Sequence, residues 1–190
     1  MLTYPQLGVP QCVMVDASDA AIGAVLQQRG QSYLLTCINR FTRWPEAVPI
    51  PDMTAGIVAR AFIFHWVARF GVPATVTTDR GAQFESALFA SVTRLLGTHR
   101  IRTTAYHPII NGIVERFHRH LKTSLTATMS HSWVEALPFV LLGVRTALKA
   151  DIGCCSAELV YGTTLRLPGE FFTTSKDENV YANADYAVRL

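Results

Sequence analysis

Apolar positions along this chain follow two different periods, and the period changes several times. Short apolar runs between turn residues predict strands over residues 12–15, 20–28, 33–38, 74–78 and 101–104. A further strand over 44–50 is predicted to be interrupted by Pro45. Helical periodicity with capping residues predicts helices over 54–70, 86–96, about 111–129, from 132 onward, and over 156–161. Strands that come first and then alternate with helices indicate an α/β fold with a mixed sheet flanked by helices.

Composition indicates the size of the domain and the cellular environment of the protein. The 190 residues suit one domain, and an apolar content of 49% is enough for a substantial core. The four cysteines lack metal-ligand spacing, which indicates reduced thiols in an intracellular protein. No signal peptide or membrane-length apolar run is present, so we expect a soluble protein without a membrane partner. Residues 168–190 turn polar and are expected to form an extended tail.

Two carboxylates stand at positions where such folds build metal sites. Asp79 directly follows the predicted strand 74–78, and Glu115 lies in the first turns of the long predicted helix. A carboxylate leaving a strand and another at the start of a helix can converge on Mg²⁺, which prefers oxygen ligands and keeps positions open for water and phosphate. Two such ions are the usual arrangement for in-line phosphoryl transfer on nucleic acid.

Basic residues surround Glu115, although the formal net charge is only +3. Helical spacing places Glu115, Arg119 and Lys122 on one face, with Arg116 beside them, while Val114, Phe117 and Leu121 point inward. This layout suits a polyanion held next to a metal site. The simpler alternatives are a solvated helix face and an ordinary Glu115–Arg119 pair within the helix.

Three polar residues in the same two motifs are weaker candidates. Gln83, His107 and Asn111 are candidates for positioning the substrate or a carboxylate, and equally for a local turn or cap. The peptide before Pro108 keeps His107 out of the helix, and the pair Asn111–Gly112 can cap or turn into it.

Five segments carry a family resemblance. Residues 33–47, 70–73, 77–84, 107–117 and 157–162 resemble, in the same order, the catalytic core of retroviral-type integrases, especially those of Gypsy-type LTR retrotransposons. The resemblance covers about residues 33–185. It implies an RNase H-like fold, two Mg²⁺ or Mn²⁺ ions, and DNA as the substrate. It also implies a homo-oligomer and a nuclear location, and it leaves no role for a small-molecule substrate.

The amino-terminal part departs from this pattern. The family requires a third aspartate on its first strand, whereas residues 2–28 resemble the start of a reverse transcriptase's RNase H domain. We therefore divide the chain into an RNase H-like fragment (1–30), an integrase core truncated at its start (31–167) and a tail (168–190). Because both families place an aspartate on the first strand, Asp16 is the candidate third ligand, with Asp19 as a weaker alternative.

That departure keeps three functions open. The leading one is integrase chemistry, namely DNA 3′-end processing and strand transfer, whose activity the altered first strand could impair. The second is an inactive Pol-derived fragment that only binds nucleic acid or protein. The third is ribonuclease H, suggested by the amino-terminal piece. The strand predicted over 20–28 would also compete with the strand over 33–38 for the place beside the first strand.

Overall fold

A computed structural model describes residues 11–19, 31–103, 108–128 and 132–168. Its central feature is a five-stranded mixed sheet in the order β3-β2-β1-β4-β5. The strands are β1 (Cys12–Asp19), β2 (Tyr33–Asn39), β3 (Pro45–Ile50), β4 (Thr75–Thr78) and β5 (His99–Arg102). β1 pairs antiparallel with β2 and parallel with β4, which in turn pairs parallel with β5.

Helices cover both faces of this sheet. They are α1 (Ala55–Phe62), continued by a π-helical segment (Ile63–Val67) and by α2 (Ala68–Phe70), then α3 (Ala82–Glu85), α4 (Ala87–Leu95), α5 (Pro108–Ala127), α6 (Trp133–Thr146) and α7 (Ser156–Tyr161). Two short strands, β6 (Leu148–Lys149) and β7 (Cys154–Cys155), pair with each other after α6. The predicted α/β fold with a mixed sheet between helices is confirmed.

The alternation of side chains along β1 explains the two layers. Val13 and Val15 belong to a core formed with α1 and α4, whereas Met14 belongs to a second core formed with α5 and α6. α5 contributes Val114, Phe117, Leu121 and Leu125 to that second core. Because Asp16 is two residues beyond Met14, it lies on the face of the sheet that α5 covers.

Several predicted boundaries hold closely. Ser86 and Ser132 cap their helices, since each hydroxyl accepts a hydrogen bond from the backbone N–H three residues later, at 3.1 and 3.3 Å. The helix predicted over 54–70 ends at Gly71, whose φ of 81° lies in the region that favours glycine. Thr54 is its N-cap residue but makes no side-chain capping hydrogen bond.

Two expectations about strands change. Pro45 does not interrupt β3 but opens it, which is possible because β3 is an edge strand and the missing N–H does not break an internal ladder. Of the two predicted strands that could lie beside β1, the one over 33–38 does so: it forms β2, which pairs with β1 from Val13↔Asn39 to Asp19↔Tyr33. β4 pairs with the other side of β1 over Cys12–Val15. The strand predicted over 20–28 lies outside the described residues, as does the tail beyond residue 168.

Candidate metal site at the ends of β1 and β4

The register of β1 and β4 brings two carboxylates to one edge of the sheet. Val15 and Thr78 are partners on these parallel strands, and Asp16 and Asp79 are the residues that follow them. β4 ends at Thr78, whereas β1 continues to Asp19, so Asp16 is the first residue of β1 beyond its pairing with β4. Since adjacent strands lie about 4.8 Å apart, the backbone positions of Asp16 and Asp79 are neighbours at this edge of the sheet.

The loop after β4 holds Asp79 locally. Its Oδ1 accepts a hydrogen bond from the backbone N–H of Gly81 at 2.9 Å, which closes a tight turn. The side chain of Gln83 folds back over Gly81. The approach is so close that a Cβ added to this glycine would lie only 2.5 Å from the Gln83 Nε2. Gln83 thus lies against the turn that carries Asp79, where it can position either the carboxylate or a bound strand.

α5 presents its two faces as expected. Val114, Phe117 and Leu121 are buried, with exposed fractions of 8%, 7% and 2%. Glu115 and the three cations are exposed on the other side: Arg116, Arg119 and Lys122. Within the described residues no ion pair joins Glu115 to Arg119, so the intrahelical pair considered as an alternative is not formed here.

His118 connects α5 to the end of β1. Its Nδ1 lies 3.6 Å from the Asp16 Oδ2, and its Nε2 lies 2.8 Å from the Thr36 Oγ1 on β2. Thr36 is almost completely buried, and its hydroxyl also lies 3.2 Å from the backbone oxygen of Asp16. Burial, with a smaller contribution from the Lys122 ammonium, lowers the pKa of His118 to about 4, so the ring is neutral at physiological pH.

This contact also locates Glu115. Residues three apart on a helix are neighbours, with Cβ atoms about 5–6 Å apart, so Glu115 lies one turn from the side chain that contacts Asp16. The start of α5 follows β5, whose carboxyl end lies at the same edge of the sheet as that of β4. Across the described residues, however, no three His, Cys, Asp or Glu side chains are close enough to hold a metal ion together. The fold places Asp16 and Asp79 at neighbouring positions and Glu115 one helical turn from His118, but the three carboxylates do not form a compact cluster among the described side chains.

The remaining predicted residues fall partly outside what the structure describes. His107 and the side chain of Asn111 lie outside the described residues. Asn39, at the end of β2, is a turn residue: its Oδ1 accepts hydrogen bonds from the N–H groups of Phe41 and Thr42 at 2.8 and 3.0 Å.

The donor chemistry fits a hard divalent cation. Asp16, Asp79 and Glu115 offer only carboxylate oxygens, the ligands that Mg²⁺ and Mn²⁺ prefer. A divalent cation would also offset the repulsion between carboxylates that lie close together.

Comparison with known proteins decides the family. A family model described as "Integrase core domain" matches residues 12–108, just over half of the chain, and this range begins with β1 and includes Asp16 and Asp79. The chain belongs to the integrase core domain family. Members of this family use divalent metal ions and bind DNA.

Relatives among characterised proteins are polyproteins. The chain is 34% identical over 175 residues to a Pol polyprotein of radiation murine leukemia virus (strain Kaplan), covering 80% of this chain and 30% of the relative. It is 37% identical over 137 residues to a Gag-Pol polyprotein of feline leukemia virus, covering 70% of this chain and 8% of the relative. It is 29% identical over 163 residues to the retrovirus-related Pol polyprotein from transposon 412 of Drosophila melanogaster, with coverages of 84% and 13%.

The fold has a counterpart among solved structures. The catalytic core domain of BIV integrase superposes with a TM-score of 0.63 at 22% sequence identity, covering 78% of this chain and 92% of that one. This likeness confirms the RNase H-like fold. The matched family range starts at Cys12, whereas the resemblance of residues 2–28 to an RNase H domain stays a prediction.

Two residues of the site were not identified from the sequence. In the sequence, His118 lies among the basic residues around Glu115, and Thr36 lies within the apolar run that predicts a strand. The available signals were the spacing of three between Glu115 and His118, and a hydroxyl inside the apolar run 33–38. Neither signal reveals the contact, because it joins residues 82 positions apart in the chain.

Proposed function

We propose that this chain is the catalytic core of a retroelement integrase, which processes DNA 3′ ends and transfers them to target DNA. The observation that carries the proposal is that Asp16 and Asp79 directly follow the register partners Val15 and Thr78, beneath a helix that holds Glu115 one turn from a residue contacting Asp16. The matched family range, which includes both aspartates, supports the same assignment.

Under this proposal Asp16, Asp79 and Glu115 would hold two Mg²⁺ or Mn²⁺ ions. When bound, such ions stabilise the attacking and leaving oxygens of a phosphodiester exchange. The hydrogen bond from the Gly81 N–H to the Asp79 Oδ1 orients the whole carboxylate, and it therefore also sets the direction of the Asp79 Oδ2. Gln83, which lies against this turn, is proposed to orient the carboxylate or the scissile strand.

The surface of α5 is proposed to bind the DNA backbone. Arg116, Arg119 and Lys122 are exposed, and within the described residues none of them is neutralised by an ion pair. Cations beside a carboxylate site can hold the phosphates that flank the reacting one. His107 and Asn111 remain candidates for the same surface.

The proposed reaction has two steps, and in each of them an oxygen nucleophile attacks a phosphodiester. Water first cleaves a phosphodiester near the end of the element's DNA and exposes a 3′-hydroxyl. That hydroxyl then attacks a phosphorus of the target strand in line and displaces its 3′-oxygen, and no covalent enzyme intermediate is needed.

The whole-protein context is part of the proposal. The chain spans 30%, 8% and 13% of the lengths of the three polyproteins named above, so their activities do not transfer directly. Self-association and a nuclear location follow from integration as the proposed role. Over the described residues, no helix is both long enough and apolar enough to cross a lipid bilayer.

The test is nicking and strand transfer on a labelled DNA duplex with Mg²⁺ or Mn²⁺. The native chain is compared with Asp16→Asn, Asp79→Asn and Glu115→Gln, and with Asp52→Asn as a matched control at a carboxylate that follows β3 and is not a candidate ligand. Asp52 serves because its Oδ1 accepts from the Thr54 N–H at 2.7 Å, a bond that an asparagine oxygen keeps.

Loss of activity in the three site variants, but not in the control, would establish a three-carboxylate site. Activity that survives Asp16→Asn alone would remove Asp16 from the ligand set. A native chain without metal-dependent activity on any duplex would refute the proposed catalysis.

A second candidate function is DNA binding without catalysis. It is favoured by the absence of a three-residue metal cluster among the described side chains, together with the exposed cations of α5. Tight duplex binding by a native chain that cleaves nothing would support it. An RNA–DNA hybrid included in the same assay tests the ribonuclease H alternative, since selective cleavage of the hybrid would favour that function.

A further inference from the structure

His118 is held between a buried hydroxyl and a candidate metal ligand. The ring bridges Thr36 on β2, at 2.8 Å, and Asp16 on β1, at 3.6 Å, and these two residues are register partners on adjacent strands. Side-chain exposure is 17% for His118 and 24% for Asp16. A single side chain of α5 thus contacts two neighbouring strands at the edge where the carboxylates lie.

The polar groups around this ring determine where its proton lies. A neutral imidazole has one N–H and one bare nitrogen. If the proton were on Nε2, the bare Nδ1 would face the Asp16 carboxylate, and two acceptors would oppose each other at 3.6 Å. If the proton is on Nδ1, the N–H points towards Asp16, and Nε2 accepts a hydrogen bond from the Thr36 hydroxyl. The Thr36 proton then goes to Nε2, at 2.8 Å, rather than to the backbone oxygen of Asp16, at 3.2 Å. Only this second arrangement avoids two opposed acceptors between His118 and Asp16.

The contacts of α5 with the sheet show why such a bridge is useful. The helix packs through Val114, Phe117 and Leu121, and apolar contacts of this kind resist separation more strongly than they resist small shifts along the helix axis. A directional polar contact at His118 can fix both the position of α5 along its own axis and the orientation of the Asp16 side chain. Glu115, one turn away, is placed by the same contact.

We propose that His118 is a positioning residue, whose Nδ1–H orients the Asp16 carboxylate while Thr36 fixes the ring from the other side. The inference rests on the proposed metal site for its functional meaning, but the geometry of the bridge can be tested without metal. Outer partners of metal-ligating carboxylates typically change metal affinity by 10–100-fold when they are removed.

The first experiment determines the tautomer. The chain is labelled with ¹⁵N-histidine, and two-dimensional NMR of the imidazole nitrogens in metal-free buffer at neutral pH assigns the proton in each of the six rings. His118→Gln identifies the signals of residue 118 by their loss. A protonated Nδ1 supports the proposal, and a ring protonated only on Nε2 overturns it.

The second experiment measures Mn²⁺ binding directly, by calorimetry and by electron paramagnetic resonance of the free ion. His118→Ala is expected to weaken Mn²⁺ binding about tenfold. Thr36→Val, which keeps the shape of the side chain, is expected to weaken it less. His120→Ala, an exposed histidine two residues further along α5, is the matched control and is expected to bind Mn²⁺ like the native chain.

The outcomes separate this inference from the proposed function. Unchanged Mn²⁺ affinity in a folded His118→Ala variant, with binding lost in Asp79→Asn, would overturn the positioning role and leave the metal site standing. A native chain that binds no Mn²⁺ would instead refute the metal site. The NMR measurement of the tautomer would then be the remaining test of the contacts of His118 with Asp16 and Thr36. If His118→Ala fails to fold, Thr36→Val gives the same comparison: a loss of Mn²⁺ affinity supports the role, and no change overturns it.

Discussion

Asp16 and Asp79 directly follow Val15 and Thr78, which are register partners on the parallel strands β1 and β4, so the two residues occupy neighbouring positions at one edge of the sheet. Two carboxylates brought close together repel each other when no cation lies between them. We therefore expect a divalent cation that binds both groups to stabilise the folded chain.

We expect Asp79→Asn to change stability in opposite directions with and without metal. In buffer with EDTA the variant should be more stable by about 0.2–1 kcal/mol, because a neighbouring like charge is removed while the amide oxygen can still accept from Gly81. In Mn²⁺ at about 100 times its dissociation constant the native chain should gain about 2.7 kcal/mol, which the variant should largely lack. Calorimetric melting in the two buffers measures both effects.

Asp52→Asn serves as the control for this prediction, because it removes a carboxylate that accepts a backbone hydrogen bond outside the site. It should respond to Mn²⁺ as the native chain does. A similar gain from Mn²⁺ in Asp79→Asn and in the native chain would contradict a role for Asp79 in holding the metal.

Local periodicity was enough to predict most elements around the site. The run 33–38 is apolar and bounded by polar residues, and it forms β2 (Tyr33–Asn39). The stripe of Val114, Phe117 and Leu121 fixed the buried face of α5, so the exposure of Glu115 followed from spacing alone. These features depend on neighbours within about two helical turns, which is the range that sequence patterns describe.

Features decided by distant contacts were not predictable in the same way. The π-helical segment Ile63–Val67 lies inside a helix whose sequence has no proline or glycine there, so packing rather than local chemistry selects it. β6 and β7 are too short to show a period. The bridge between Asp16, His118 and Thr36 joins three elements and depends on their tertiary arrangement.

The cations of α5 predict a specific change in the salt dependence of DNA binding. Each phosphate contact that is lost should reduce the slope of log affinity against log salt concentration by about one. We therefore expect Arg119→Ala and Lys122→Ala each to lower the slope by about one and to weaken binding similarly for unrelated duplex sequences. Fluorescence anisotropy over a series of salt concentrations measures the slope.

Arg60→Ala is the matched control for the α5 cations. Arg60 is exposed on α1, whose buried residues belong to the core on the opposite face of the sheet. Its removal should leave the slope unchanged. Equal slopes for the native chain and both α5 variants would exclude α5 from the DNA interface.

A buried ion pair that begins on β3 gives a prediction about stability. Glu46, with a side chain only 6% exposed, lies 2.9 Å from Arg145 and 3.4 Å from Arg69. It also accepts a hydrogen bond from the Trp44 indole at 3.0 Å, and the Arg145 guanidinium lies 4.4 Å from the centre of that ring. Burial lowers the pKa of Arg145, which the Glu46 carboxylate opposes.

Removing Glu46 leaves the Arg145 charge buried without its partner. We expect Glu46→Ala to lower the free energy of unfolding by about 3–5 kcal/mol, measured by urea denaturation followed by circular dichroism. Glu46→Gln should lose less, because its amide oxygen can still accept from Trp44. Glu85→Ala, which removes a solvent-exposed partner of Arg100 and Arg102, should have a much smaller effect. If Glu46→Ala were no more destabilising than Glu85→Ala, Glu46 would not be what compensates the Arg145 charge, and hydrogen bonds from Arg145 to the Pro45 carbonyl would be sufficient.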